Sequence, residues 1–333
     1  MEEITIEKSI LHILDSNVGT PVLSDRLMPS DESIDFFSKH IEKLLGDSEI
    51  KECVFEEGDQ PIKALIAKSD EESFIPATQQ MATALYNIMT SNVDIPSADV
   101  LFAIFRYKND KYLGILKLNY KEAYTHSLAH NEGTTATSVI KYKALFANEA
   151  QKVDECIFVN LKNQTIKIKE KKYEINGQKD HYLSSQFMKT QPARSYKEQY
   201  RLVEKSAEQI VKKFYTDDTL KQAEVKMAIK NTVDRNLEID IDDLSKAAFH
   251  DSQDMQSQYK QELSQKGFTD KKIKINQQIY NDLERSHKII TDMGIKMEIP
   301  SDLMKDKNKV EFFVNHDGTM SIMIKNINEV KSR

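Results

Sequence analysis

The segment 100–120, VLFAIFRYKNDKYLGILKLNY, constrains the fold more than any other part of the chain. Two runs rich in β-branched and aromatic residues, Val100–Lys108 and Lys111–Tyr120, flank the polar pair Asn109-Asp110, which is the pattern of a two-residue hairpin turn. A chain that contains it builds antiparallel β-structure. A second hairpin signal closes the sequence, where Val310–Asn315 and Thr319–Ile324 surround His316-Asp317-Gly318. Asp-Gly between alternating runs favours a tight turn. Glu155–Leu161 and Thr165–Lys169, joined by Lys162-Asn163-Gln164, supply two further strands. The 333 residues, 39% hydrophobic and 30% charged, are enough for two cores under a solvated surface. No window approaches about 18 consecutive apolar residues, so no transmembrane helix is expected. The start MEEITIEKSILHIL is acidic and alternating, whereas a secretory signal has a basic start and an apolar run, so export is not expected.

Helical periodicity appears on both sides of these strands. Pro29-Ser30-Asp31 introduces a helix in which Ser30 or Asp31 supplies the cap, Ile34, Phe37, Ile41 and Leu44 share a face, and Gly46 stops it. A second helix is expected from Ser73 to about Ser91, with Met81, Leu85, Ile88 and Met89 facing inward. Near the start, Ile4–Leu14 and Thr20–Leu27 read as strands, as do Cys53–Phe55 and Ala64–Ile66. Thr125–Ser138 is polar, without period, and reads as a loop. After Ser195 the character turns helical. Tyr196, Tyr200, Val203, Ala207, Ile210 and Phe214 recur at gaps of four and three, the seam of an amphipathic helix. Further helices are expected from Asp217-Asp218, near Asp242, and over Asp251–Gln265, with strand and turn signals at Ile273–Ile275 and Lys288–Ile299. The fold class expected is α+β. An N-terminal mixed domain (1–185), with an antiparallel sheet and flanking helices, precedes a mainly helical C-terminal domain (186–333) ending in a β-hairpin.

The net charge of −6 conceals a polarity. Residues 1–75 carry 7 Lys/Arg against 18 Asp/Glu, a balance of −11, and residues 162–213 carry 13 against 6, a balance of +7. Such asymmetry predicts a surface for a polyanion, or segments of the chain that attract one another. The two cysteines, Cys53 and Cys156, each lie in an apolar run, which suits small buried hydrophobes in a reducing compartment.

The order of segments resembles that of a bacterial family, the nucleoid-associated proteins of about 37 kDa. Four stretches carry the likeness: ITIEKSILHILDSN with PVLSDRLMP, the hairpin passage VLFAIFRYKNDKYLGILKLNY, EIDIDDLSKAAFHDSQ with KQELSQKGF, and the close KVEFFVNHDGTMSIMIKNI with EVKSR. Together they span nearly the whole chain. The resemblance implies association with the nucleoid through DNA, without a known enzymatic activity, and no cofactor is expected. It brings no catalytic or base-reading residues to carry over, and the segment 125–145 departs from the family's pattern.

Contact with duplex DNA requires Lys or Arg spaced to meet phosphates, with affinity drawn from counterion release. Two groups qualify. Lys167, Lys169, Lys171 and Lys172 crowd a strand end and the loop after it. On the helix that follows, Lys197, Arg201, Lys205 and Lys212 lie roughly 150° around the axis from the apolar seam. The competing reading is an ordinary solvated face, because Glu198, Glu204 and Glu208 flank or enter that stripe. A weaker candidate resembles a helix-turn-helix: Ile241–Ala248 followed by Ser252–Gln265, with Gln253, Gln256 and Gln258 available to base edges. His126 and His130 are four apart but lack the glutamate of HExxH. Asp240, Asp242 and Asp243 suit a helix cap better than a magnesium cluster. No nucleophile elbow, Walker loop or dinucleotide fingerprint occurs. The function expected is phosphate-directed, weakly sequence-selective binding of double-stranded DNA by a cytoplasmic, nucleoid-located homodimer without catalysis. The alternative is an adaptor whose acidic N-terminal domain engages nucleoid protein partners, leaving its association with DNA indirect. Neither involves a membrane.

Overall fold

A computed structural model describes residues 4–29, 32–70, 73–131, 133–215, 219–234, 236–250, 252–285, 287–300, 303, 306, 308–317 and 319–329. The chain is α+β. It divides into two compact units at Ser195/Tyr196. That boundary falls after the expected 185/186 because the intervening residues return to the first unit, where Thr190 bridges Phe55 and Ser195 bridges Lys51.

The first unit runs β1 (Thr5–Leu14), α1 (Glu32–Leu45), β2 (Lys51–Cys53), α2 (Pro61–Lys68), α3 (Phe74–Ser91), β3 (Ala98–Tyr107), β4 (Asp110–Asn119), β5 (Lys121–Asn131), β6 (Thr134–Leu145), β7 (Glu155–Asn160), β8 (Ile166–Lys169), β9 (Tyr173–Ile175) and β10 (Gln178–Asp180), then one π-helical turn at Leu183–Phe187. Six strands form one antiparallel sheet in the order β1-β3-β4-β7-β8-β2. The β3–β4 hairpin is at its heart, and its turn is Lys108-Asn109, one residue earlier than expected. Both residues have positive φ, 51° and 64°, with Tyr107 opposite Asp110, as a type I′ turn requires. Val100, Phe102 and Ile104 of β3 join Ile62, Met81, Leu85 and Met89 of α2 and α3 in one core. Leu101, Ala103 and Phe105 alternate with them and are equally buried, so the strand is covered on both faces. Each such side chain contributes about 1.5–3 kcal/mol by burial. Gly114 permits the second layer, since a Cβ there would sit 3.0 Å from the Phe105 ring.

Several expectations change. Ala64–Ile66 is helical, inside α2, where Pro61 occupies the first turn and pre-sets φ. Thr20–Leu27 is not a strand; only Val22 bridges back to Ile13. Residues 125–131 and 134–138 belong to the long β5–β6 hairpin. Ser30 and Asp31 lie outside the described residues, although the helix they were to cap is present and buries Phe37, Ile41 and Leu44. Cys53 and Cys156 are buried and free, and burial raises both thiols, Cys53 to about 11.

The second unit comprises α4 (Tyr196–Tyr215), α5 (Thr219–Asn231), β11 (Glu238–Asp240), α6 (Ile241–Ala248), α7 (Gln253–Gln265), β12 (Lys272–Lys274), α8 (Gln277–Arg285), β13 (His287–Ile290), β14 (Lys296–Ile299), β15 (Val310–Val314) and β16 (Met320–Ile324). The strands pair as three small antiparallel ladders, β11–β12, β13–β14 and β15–β16. α4 packs on α5 and α7, and α5 on α6 and α8. Val203, Ala207 and Ile210 of the predicted seam are buried, and the Tyr259 hydroxyl donates to the Val203 carbonyl at 3.4 Å. Strand β12 overlaps the expected Ile273–Ile275, while helix α8, strand β11 and the β9–β10 ladder carry no expectation from the sequence.

Candidate nucleic-acid interface

The α4 seam turns the opposite face of that helix outward, and there Arg201, Lys205 and Lys212 are exposed. Helical geometry places them within an arc of about 40° and spreads them over about 16 Å of axis. None of the three makes a hydrogen bond or ion pair among the described residues. Lys197 is half-buried in the first turn and engaged by a neighbouring group. Two of the three carboxylates that flank or enter the stripe, Glu204 and Glu208, have partners off it. Glu208 pairs with Lys226 of α5 at 3.5 Å. Glu204 is largely buried and accepts a hydrogen bond from the Tyr200 hydroxyl at 3.4 Å; burial raises its carboxyl above the ordinary value. Arg201 still lies within the electrostatic reach of Glu204. At the far end, Lys212 and Lys213 occupy the last turn, where cations complement the helix dipole. Lys213, not among the expected residues, is exposed and donates to the Gln258 carbonyl at 2.6 Å. Lys226 was equally invisible to the sequence reading because its partner lies on another helix.

The other expected group behaves differently. Lys169 is buried, and its ammonium sits 2.9 Å from Asp47, itself buried. It is therefore withdrawn from the candidate set, because its side chain has only 5% of its surface in solvent. Lys167 lies 3.7 Å from Glu52 and Lys171 lies 2.9 Å from Asp154. Lys172 is exposed and makes no hydrogen bond or ion pair among the described residues. Part of the acidic charge of the N-terminal stretch thus meets the basic one, Asp47 on Lys169 and Glu52 on Lys167, while a pair of reversed sense joins Lys51 to Glu170 at 2.8 Å.

The helix-turn-helix-like candidate loses two of its three readers to local bonds. Gln256 donates to the Phe249 carbonyl at 2.9 Å, and Gln258 bridges Asp254 and Lys213. Beside it, a groove of about 640 Å³ between α4 and α7 is lined by Gln209, Lys213, Gln261 and the carboxylates Asp254 and Glu262. Those carboxylates repel phosphate, so the outward ridge of α4 is the better anion surface. Asp240 caps α6, accepting from the backbone N–H groups of Asp242 at 2.9 Å and Asp243 at 3.2 Å. His126 and His130 lie on strand β5, where residues four apart are about 13 Å from each other, too far to share a metal ion.

One buried cluster carries potential acid–base chemistry. The Lys117 ammonium contacts Glu155 at 3.0 Å, Asn119, and the Pro96 carbonyl at 3.1 Å, while the Tyr173 hydroxyl donates to the same carboxylate oxygen at 3.1 Å. Burial pushes the lysine down and the tyrosine up. Lys117 and Glu155 are 1% and 0% exposed, so the pair cross-links β4 to β7 rather than meeting a solute.

No helix among the described residues is long and apolar enough to cross a membrane. A family model described as NA37, nucleoid-associated protein YejK, matches residues 10–331. No curated protein matches the chain.

Proposed function

The chain belongs to the nucleoid-associated protein YejK family, and from that membership we propose that it binds duplex DNA directly through the outer ridge of α4. Its role is nucleoid-associated. The finer mechanism is phosphate-directed and weakly sequence-selective. Arg201, Lys205 and Lys212 supply the contacts, with Lys197 at the helix start and Lys172 as an accessory cation of the first unit. The protein acts as a homodimer, without cofactor or catalysis, in the cytoplasmic nucleoid.

The observation that supports this reading most is the diversion of Glu204 and Glu208 toward Tyr200 and Lys226, which leaves three exposed cations without an ion-pair partner among the described residues. A ridge of this kind offers charge but no set of fixed donors aimed at base edges, so discrimination between sequences is weak. Fluorescence anisotropy with random-sequence duplex DNA across salt concentrations tests it. Each phosphate neutralised contributes about 0.9 to the slope of log affinity against log salt, so Arg201→Ala/Lys205→Ala/Lys212→Ala lowers the slope by about 2.7. An unchanged slope removes α4 from the interface. Absent or salt-insensitive binding by the intact protein favours the adaptor reading, in which a protein partner bridges to the nucleoid.

A further inference from the structure

The β5–β6 hairpin stands apart from the rest of the first unit. Its strands pair from Asn131↔Thr134 down to Ala123↔Tyr142 and with no other strand. Those nine rungs extend about 30 Å. Apolar side chains are exposed on both faces: Tyr124 (74%), Leu128 (57%) and Val139 (73%) on one, Ile140 (43%) and Tyr142 (50%) on the other. A two-stranded ribbon in water is marginally stable and ordinarily needs a third strand or a covering layer. This one has two open edges.

The β6 edge is the more telling. Residues 134–140 read TTATSVI, seven positions with five β-branched residues and no charge, proline or glycine. Soluble proteins protect long edges with charges, prolines or bulges, and an unprotected edge of this composition pairs with another strand. The segment 121–145 holds three lysines and two glutamates, and Lys141 is ion-paired with Glu122, so it is poorly suited to a polyanion. It is well suited to itself. An antiparallel strand pairs with its own copy about a two-fold axis normal to the sheet, which brings each residue opposite one from the same strand. Residues opposite one another on β5 and β6 alternate between bonded and non-bonded pairs outward from the turn. Thr135, Thr137 and Val139 thereby present their backbone groups to the open edge. With the axis at Thr137, Thr135 meets Val139 and Ala136 meets Ser138, and no like charges face each other.

We propose that β6 pairs with β6 of a second copy of this chain, centred on Thr137, so that two hairpins become one four-stranded antiparallel sheet. The contact is made by the edge of β6, a strand of 12 residues, and its main-chain hydrogen bonds carry it. The pairing gives a surface to the homodimer of the proposed function, yet it is read by mass and not by DNA binding. A failure here leaves the α4 salt slope untouched, and a failure there leaves the mass untouched.

Sedimentation velocity of the full chain at tens of micromolar is the test. The wild type is expected at about twice 38.4 kDa. Thr137→Lys places two ammonium groups opposite each other and is expected to return the monomer mass, with at least a tenfold weaker dimerisation constant. Thr137→Cys is expected to form an intermolecular disulfide on mild oxidation, against little background because Cys53 and Cys156 are buried. A wild type that sediments as a monomer assigns the arm to some other partner and overturns the proposal, as does a Thr137→Lys variant that stays dimeric. Should Thr137→Lys fail to fold, the cysteine variant decides, and absence of its cross-link overturns the pairing.

Discussion

The lysines of β8 and the loop after it, and the cations of α4, are almost indistinguishable as letters in the sequence, yet the fold treats them in opposite ways. Lys167 and Lys169 sit in a sheet where the loop before edge strand β2 carries Asp47 and Glu49, and the register places Lys167 opposite Glu52 of β2. Lys169 is drawn under that loop onto Asp47. The α4 cations sit on a helix where Glu204 and Glu208 are claimed by Tyr200 and by Lys226 of α5. A run of positive charge is therefore a surface only where its neighbours leave it one. Sheet pairing brings distant carboxylates to it, and a solvated helix face does not.

The largest expected effect breaks the sheet-borne pair. Lys169→Ala leaves Asp47 buried, with the Lys152 ammonium at 3.1 Å and the Glu49 N–H at 2.9 Å as its remaining partners. Breaking a buried pair from one side costs about 3–5 kcal/mol, and these remaining contacts hold the loss near the lower end. Urea unfolding should show a lower midpoint at unchanged slope. A loss below about 1 kcal/mol would place Lys169 with the surface cations and dissolve the contrast.

Acid separates the two regions next. His12, fully buried in β1, accepts from the Ser24 N–H at 3.1 Å and shares a 3.2 Å hydrogen bond with Thr78; burial holds its imidazole down at about 4. Its folded value lies below the ordinary 6.5, so between those limits the unfolded chain binds the proton and the folded one does not. Stability is therefore intact above about pH 6.5 and falls as pH drops toward 4, by up to about 3 kcal/mol. Asp47, whose carboxyl lies below its ordinary value because the Glu49 N–H and Lys169 oppose its burial, adds a further loss below that range. His12→Asn should reduce the dependence between pH 6.5 and 4 in urea titrations, the remainder belonging to His40, whose imidazole burial also lowers. The salt slope of DNA binding, set by side chains on α4 outside this buried cluster, should be the same at pH 8 and pH 6.5.

The same contrast explains what could be read before the structure. The β3–β4 hairpin, α3 and the α4 seam are local patterns of period two or 3.6 over ten or more residues, and they are where expected. The β5–β6 hairpin was hidden because strands are recognised by one buried face, and this ribbon buries neither, so the exposed Tyr124, His126 and Leu128 alternate with Thr125, Ser127 and Ala129, none of them buried. Ala64–Ile66 was too short to show a period, and Pro61 was the signal that marked a helix start. The stripe on α4 was legible from spacing alone. Its freedom from Glu208 was not, since that depends on Lys226 across a helix pair. Nor was the burial of Lys169, whose partner lies 122 positions away.

The smallest and sharpest test sets Lys171→Ala beside Lys212→Ala. Both side chains are exposed lysines of the same basic segment, but Lys171 faces Asp154 at 2.9 Å with 53% of its side chain in solvent, and Lys212 has no ion-pair partner among the described residues. An exposed pair contributes about 0–1 kcal/mol, so Lys171→Ala should lower stability by a few tenths and leave the salt slope unchanged. Lys212→Ala should leave stability within about 0.5 kcal/mol and lower the slope by about 0.9. If the two variants shift the slope equally, solvent exposure alone decides which lysines meet phosphate. If only Lys212 does, pairing decides, because a cation already neutralised by a carboxylate releases fewer counterions on binding than one that is not.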